Sequence, residues 1–300
     1  MSREIGEDIK RRSGSKSLKL VQAFSFPIME ELIKRAARDL ANSKYAIALT
    51  GAGVSTESGI PDFRGPSGIW TLNPEAERRA YQTYYKFLAN PKEYWEERLS
   101  GSSLLGDLAK AQPNPCHYAL AELEKMGIIK CIITQNIDNL HQKAGSKNVL
   151  EYHGNAFKLR CLNCGSRFDS KEFDLEKLRK EGKLPPLCPI CKCALKSDVV
   201  YFREPIPSDV IKRSLEEVSK CDLMLICGTS AVVYPFAELP RIARQRVLKK
   251  EGKWVPVTII EVNAEPTPLT EEGISDYLIQ AKTGQAMPKI LEEIKRLMPH

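Results

Sequence analysis

The sequence predicts an α/β fold in which a doubly wound parallel sheet carries a second, smaller domain. Three observations predict it. Apolar runs of strand length recur at Tyr45–Leu49, Ile128–Ile133, Leu223–Ile226 and Val257–Val262. Amphipathic stretches with helical spacing lie between several of them, and two segments interrupt the rhythm. Strands alternating with helices make βαβ units, and such units build parallel sheets covered on both faces. With 300 residues and 42% hydrophobic content, the chain can bury a sizeable core and fill two domains.

In chain order, residues 1–24 read as a basic flexible tail. Met1 to Leu20 is charged and serine-containing and lacks the apolar centre of a signal peptide. Ile28 to Ser43 places Leu32, Ile33, Ala36 and Leu40 on one helical face. The strand Tyr45–Leu49 then runs into TGAGVSTESGIPDFRG, Thr50 to Gly65. Two glycines directly after a buried strand let backbone N–H groups approach a phosphate with no Cβ in the way. The G-x-G-x-x-G fingerprint of hydride-transferring enzymes nevertheless fails. Thr56 stands at the third glycine, and no acidic residue ends a second strand about 20 residues on.

Pro66–Ala111 reads as aromatic-rich and helical, with Tyr81, Tyr84, Tyr85, Phe87, Tyr94 and Trp95. His117–Met126, Pro207–Val218 and Phe236–Lys249 have helical spacing, and Gln285–Leu297 closes the chain as a helix. Pro256 suits the entry of the strand Val257–Val262, not a strand interior. Lys158–Tyr201 is cysteine-bearing and strand-poor. Together with Pro66–Ala111 it reads as an insertion that builds the smaller domain over one edge of the sheet.

The net charge of +7 is modest for this length. It suits acidic or nucleic-acid-associated partners, but a mildly basic surface is the simpler explanation. No apolar run approaches the ~18 residues of a membrane span. Nine cysteines without a secretory signal point to metal ligands or buried thiols in a reducing, cytoplasmic setting.

Cys161-x-x-Cys164 and Cys188-x-x-Cys191 are two knuckles. Each places two thiolates on one tight turn, and two such turns supply the tetrahedral S4 set that zinc prefers. With all four positions filled by protein the zinc is structural. Cys193 is an alternative fourth ligand, but Cys191 repeats the spacing of the first knuckle. Cys116, Cys131, Cys221 and Cys227 fall in helix and strand patterns as core thiols.

Only four histidines narrow the search for a general base. His300 is the last residue and His117 reads as a packing residue of a helix. His153 precedes Gly154 at a strand-to-insertion boundary, where its side chain would face the cleft between domains. An ordinary pKa near ~6.5 suits a base at neutral pH. Asn136 and Asp138 follow the strand Ile128–Ile133 at the carboxyl end of the sheet, where α/β folds bind ligands. A carboxamide and a carboxylate there can hold a nicotinamide carboxamide and a ribose hydroxyl. Gly228-Thr229-Ser230 ends a third strand and can wrap sugar or phosphate. Asn263-Ala264-Glu265 ends a fourth, with its acid placed for adenosine ribose hydroxyls.

Taken together, GAGVSTESGIPDFR (51–64), TQNIDNLH (134–141), YHG (152–154), the paired C-x-x-C, VVYF-x-E (199–204), GTSAVVYP (228–235) and VNAE (262–265) resemble the sirtuins, the NAD-dependent protein deacylases. The blocks stand in the family's order and span roughly residues 28–297. The resemblance implies a Rossmann-like domain (25–65, 112–157 and 205–297) and a small domain made of a helical module (66–111) and a zinc-binding module (158–204). It implies that NAD and an acyl-lysine enter the cleft from opposite sides.

By position the resemblance gives Ala52, Gly53, Arg64 and Ser230 to the dinucleotide, together with Thr56, Asp62, Gln135, Gly228, Thr229 and Ala281. It gives Asn263 and Glu265 to the adenosine ribose, and Asn136 and Asp138 to the nicotinamide pocket. Phe63 covers the ribose carbon that loses nicotinamide, and His153 is the general base. Val199, Phe202, Val232 and Tyr234 belong to the segments between which the peptide adds as a strand. Arg203 stands where the family usually has glycine, which implies a stiffer or more cationic loop. The Tyr-x-x-Arg pair of sirtuins that remove succinyl or malonyl groups is absent; the nearest patterns are Tyr81-x-x-Tyr84 and Trp95-x-x-Arg98. A neutral acyl group, acetyl first, is expected.

The expected partners are acylated-lysine proteins, including chromatin or nucleic-acid-binding ones, with no membrane. Three other readings remain: mono-ADP-ribosyl transfer from the same NAD cleavage, a zinc-ribbon adaptor or nucleic-acid binder, and an NAD-dependent dehydrogenase. Lys158, Arg160, Lys171 and Lys177 are interleaved with acids, which argues against direct nucleic-acid binding. The missing third glycine argues against the dehydrogenase.

Overall fold

Residues 27–65, 68–101, 108–250 and 252–298 are described by a computed structural model. The basic tail expected over residues 1–24 lies outside them. Among the described residues the strands are β1 (Ala46–Thr50), β2 (Ile129–Thr134), β3 (Val149–Glu151), β4 (Lys158–Cys161), β5 (Arg167–Asp169), β6 (Leu195–Ser197), β7 (Leu223–Cys227), β8 (Val247–Lys250), β9 (Lys253–Pro256), β10 (Thr258–Asn263) and β11 (Tyr277–Gln280). Six of them form one sheet in the order β11-β10-β7-β1-β2-β3, and every pairing in it is parallel. The chain leaves β1 toward β2 and β3 on one side and returns to build β7, β10 and β11 on the other. The order therefore reverses between β1 and β7, the switch point where open α/β sheets bind ligands.

Alternation along each strand divides the core in two. Ala46 and Ala48 of β1, Leu225 of β7 and Ile260 of β10 face one side. There they pack with Leu40 of the helix over 27–42, Leu120 of Pro115–Lys125, and Ile290 of Thr283–Leu297. Ile47 and Leu49, Ile226 and Ile259 face the other side, against Val218 of Ser208–Lys220 and Leu239 of Glu238–Arg244. Covering both faces is what makes these strands read as continuous apolar runs. Each fully buried Leu or Ile contributes roughly 1.5–3 kcal/mol relative to exposure.

A second, smaller region joins two insertions. Helices Ile69–Leu72, Pro74–Ala80, Thr83–Ala89 and Pro91–Ser100 form one part. Two of them start on the same device: Asn73 and Asn90 accept the backbone N–H groups of Ala76 and Glu93, with Pro74 and Pro91 at the first helical positions. The other part is the antiparallel sheet β5-β4-β6. The two share one core of Phe87, Tyr94, Trp95, Leu159, Leu184 and Leu195 with Cys161 and Cys188, and the Trp95 indole N–H donates to the Leu195 carbonyl at 2.8 Å.

Three sequence expectations are corrected. Lys158–Tyr201 is not strand-poor: it holds β4, β5 and β6, whose three- or four-residue lengths carry too few alternations to register as strands. The helix expected over Phe236–Lys249 stops at Arg244, and Val247–Lys250 pairs antiparallel with Lys253–Pro256 around Gly252, which has a positive φ. Pro256 consequently closes that hairpin instead of opening the next strand. The edge strands β3 and β11 had no separate expectation; each is short and only partly buried.

Candidate active site

The carboxyl ends of β1, β2, β7 and β10 open onto one cleft of about 1820 Å³ that also touches both parts of the smaller region. That volume exceeds the roughly 300–1,000 Å³ of a single small-ligand pocket, leaving room for a dinucleotide and a second substrate. Its walls include Ala52, Gly53, Thr56, Asp62, Phe63, Arg64, Gln135, Asn136, Asp138, His153, Val199, Phe202, Gly228, Thr229, Ser230, Tyr234, Asn263 and Glu265. Two expected residues stand off the wall. Ala281 packs partly buried against the core while its N–H donates to the Asn263 carbonyl, and Val232 is 40% exposed outside the cleft.

The glycine loop after β1 works differently from the sequence expectation. The Gly53 N–H donates to the Gly228 carbonyl at 2.8 Å and the Gly51 N–H to the Cys227 carbonyl at 3.2 Å, so neither amide is free for a phosphate. These glycines exist because two strand-end loops touch. A Cβ on Gly53 would lie 2.8 Å from Gly228 Cα, and one on Gly228 would lie 2.4 Å from the Val54 nitrogen. Close approach at the switch point, not phosphate contact through these amides, explains the G-x-G.

Behind the loop the strand ends are stitched by polar side chains. Ser55, buried, donates to Asp138 Oδ2 at 2.6 Å and accepts from Asn136 Nδ2 at 3.0 Å. Asp138 Oδ1 also accepts the Leu140 N–H. Gln135 donates to Thr229 Oγ1 at 2.7 Å, tying β2 to β7. Deeper still, Thr50 bridges Thr134 and His141 at 2.8 and 2.9 Å. Ser55 is the residue that motif-reading passed over, although it stands inside the quoted loop.

His153 leads into the zinc-knuckle region. Its carbonyl accepts the Val200 N–H at 2.8 Å, joining it to the Val199–Glu204 segment. Gly154 makes that join possible: φ is +75° and a Cβ would lie 2.0 Å from the Asp198 carbonyl oxygen. Burial between Tyr152, Phe236 and the cleft wall lowers the His153 pKa to about 4, with the Gln135 backbone opposing the shift. The imidazole is therefore neutral at pH 7, with its acceptor nitrogen unprotonated but less basic than the ordinary imidazole expected from the sequence. Burial likewise lowers His117 to about 4 and His141 to about 3.

Asp62 accepts the Gly65 N–H, and its carbonyl and that of Phe63 accept from Ile69 and Trp70, which pins the loop to the helical part. Phe63 lies 4.6 Å from the Trp70 ring. Arg64 sits over that ring at 4.4 Å and pairs with Glu77 at 3.2 Å, so in this conformation its charge is already partnered.

The Val199–Glu204 wall stands on buried charge. Glu204 is 8% exposed and pairs with Arg160 and with Lys196, which is fully buried. Asp198 pairs with Arg160 and Arg167, both at 3.2 Å. Lys196 also donates to the Val199 carbonyl, and Glu204 accepts the Tyr201 N–H at 3.0 Å. Burial, aided by Arg160, lowers the Lys196 pKa to about 8 even though Glu204 opposes the shift.

The sulfurs of Cys161, Cys164, Cys188 and Cys191 all lie within 4.8 Å of one another. Cys161 to Cys191 is 3.3 Å and Cys164 to Cys188 is 3.7 Å. Zn–S bonds of about 2.3 Å in a tetrahedron set sulfurs about 3.8 Å apart, so the set fits zinc with no position left for water. Cys193, exposed, stays outside the cluster. Cys116, Cys131, Cys221 and Cys227 are buried, which pushes the first two to about 12 and Cys221 to about 11.

The sequence profile of the Sir2 family matches residues 51–235. The chain belongs to the Sir2 family. An NAD-dependent protein deacylase 2 of Archaeoglobus fulgidus is 45% identical over 269 residues, covering 90% of this chain and 98% of the relative. A solved structure reported under the mechanism and regulation of Sir2 enzymes superposes with a TM-score of 0.70 at 45% identity, covering 90% of this chain and 100% of that one. Another, of Sir2Af2 bound to a myristoylated histone peptide, has a TM-score of 0.60 at 40% identity and covers 89% and 98%. Among the described residues of this Sir2 protein, no helix is long and apolar enough to cross a membrane.

Proposed function

We propose that this protein is an NAD-dependent protein-lysine deacylase. NAD and water turn an acyl-lysine into free lysine, nicotinamide and O-acyl-ADP-ribose. The observation that carries the reading is His153, a neutral imidazole on the cleft wall, one residue from the glycine that joins the two regions. As general base it would take the proton of a ribose hydroxyl as that hydroxyl attacks the acyl carbon. NAD would supply an electrophilic ribose carbon: the acyl carbonyl oxygen would bond to it as the pyridinium departs as neutral nicotinamide.

The remaining roles follow the walls. Ala52, Thr56, Gly228, Thr229 and Ser230 would hold the dinucleotide at the β1/β7 switch point, and Asn263 and Glu265 its far ribose. Asn136 and Asp138, fixed by Ser55, would orient the nicotinamide carboxamide. Phe63 would exclude water from the reacting carbon. Residues 25–65, 112–157 and 205–297 then form the NAD-binding domain, and 66–111 with 158–204 the smaller one, where the four thiolates hold a structural zinc. The peptide would lie along Val199–Glu204 and Gly228–Pro235, with Phe202 and Tyr234 beside it. Acylated proteins of the cytoplasm, chromatin-associated ones among them, are the proposed targets.

The test is incubation of the zinc-loaded protein with NAD and an acetyl-lysine peptide, then a myristoyl-lysine peptide. Nicotinamide and O-acyl-ADP-ribose should appear by mass spectrometry. His153→Ala should lower the rate about 10²–10⁴-fold with the melting temperature retained. Absence of nicotinamide release from folded protein overturns the reading, and an ADP-ribosylated peptide in place of a deacylated one replaces it with ADP-ribosyl transfer.

A further inference from the structure

Arg203 is an exposed residue with φ +65°, in the left-handed region that favours glycine. Its neighbours impose that conformation. The Glu204 N–H donates to the Tyr201 carbonyl at 3.0 Å, closing a turn with Arg203 as its third residue, the place where a positive φ is ordinarily met by glycine. On one side Phe202 is locked, stacked on Tyr81 at 4.3 Å and 5.3 Å from Trp70. On the other side Glu204 is drawn inward by Arg160 and Lys196. The turn cannot relax around the arginine, so a side chain that glycine would serve better on conformational grounds is held at the cleft.

Its charge is also unspent. Among the described residues Arg203 has no ion-pair partner; its guanidinium lies 5.8 Å from the Tyr81 ring centre, a weak contact. The acid next to it in the chain, Glu204, is committed to Arg160 and Lys196. Strained residues kept at a binding cleft are candidates for function.

We propose that Arg203 is a specificity-determining residue that selects acyl-lysine substrates with carboxylate side chains flanking the modified lysine. This rests on the deacylase reading. A cation on the segment along which the peptide lies meets the flanking side chains, not the acyl group, and a partly exposed ion pair shifts affinity modestly.

The experiment compares kcat/KM for three acetyl-lysine peptides that differ only in acidic, neutral or basic flanks, using the full zinc-loaded chain and saturating NAD. Wild type should prefer acidic over neutral and neutral over basic flanks by about threefold at each step, mostly in KM, as exposed ion pairs allow. The preference should shrink at high salt. Arg203→Gly should bring the three peptides together while melting at or above the wild-type temperature, and Arg203→Lys should keep most of the preference. Equal turnover of the three peptides by wild type, or an unchanged preference in Arg203→Gly, overturns the inference alone. No turnover of any peptide overturns the deacylase reading and the inference with it.

Discussion

The six-stranded sheet and the zinc-knuckle region face each other across the cleft and are held by different physics. The sheet buries two apolar layers, and the polar residues that face the cleft stand at the carboxyl ends of its strands. The smaller region has one core of a few aromatic and aliphatic side chains, two of whose members are Cys161 and Cys188 of the four-cysteine cluster. Beside it lie Arg160, Lys196, Asp198 and Glu204, all buried. A short insertion buries little apolar surface, so buried ion pairs, and the zinc that the four-cysteine cluster fits, would supply what the core lacks. One cleft wall is therefore rigid by packing. The other is positioned by buried charge beside the four clustered cysteines, and His153 sits at their joint.

The sharpest way to break that comparison is to remove the metal. Cys161→Ala, or chelation, should abolish deacylation and expose the region around β4–β6 to hydrogen exchange while amides of β1 and β7 stay protected. Equal loss of protection in both regions would mean that they are one cooperative unit. Acid is the next lever, acting on the sheet side. His117, His141 and His153 titrate at about 4, 3 and 4 when folded against about 6.5 unfolded. The unfolded chain thus binds more protons below pH 6.5, and stability, complete above that pH, falls as pH drops toward 3–4. The slope is about 1.4 kcal/mol per pH unit for each histidine between those limits. Urea titrations at pH 7, 6 and 5 with zinc saturating would read it, and a flat profile would show that these histidines are not buried neutral.

A smaller effect is expected at Lys196. Lys196→Met leaves Glu204 short of one partner and should cost about 3 kcal/mol. It should raise KM for peptide more than KM for NAD, and Lys196→Arg should restore both. A parallel rise in the two KM values would make the cluster a general stabiliser, not a support for one wall. The smallest effect belongs to the packed sheet: Ile226→Val should cost about 1 kcal/mol in denaturant unfolding and leave both KM values where they were.

Much of this was legible in the chain because it is encoded over short distances. The two C-x-x-C knuckles name four ligands whose sulfurs do meet, and the alternation of apolar strands and helices fixes a parallel sheet whose carboxyl ends collect Asn136, Thr229 and Asn263. What was missed is short or non-local. β4–β6 and the hairpin from Val247 to Pro256 are too brief to show a period. Ala281 and Val232 sit within plausible motifs, but whether a side chain reaches a cleft depends on the neighbouring elements, not on its own segment.

By itself the sequence determined the family and the architecture, and it singled out His153 and the four clustered cysteines as candidates, since each rests on residue type at fixed local spacing. Only the tertiary structure decided how those parts are used. It committed the Gly51 and Gly53 amides to Cys227 and Gly228 at the end of β7, made Ser55 the link between Asn136 and Asp138, and set Arg203 in a left-handed turn with no ion-pair partner among the described residues. Those outcomes depend on which distant groups arrive within hydrogen-bonding distance, and local spacing does not encode that arrival.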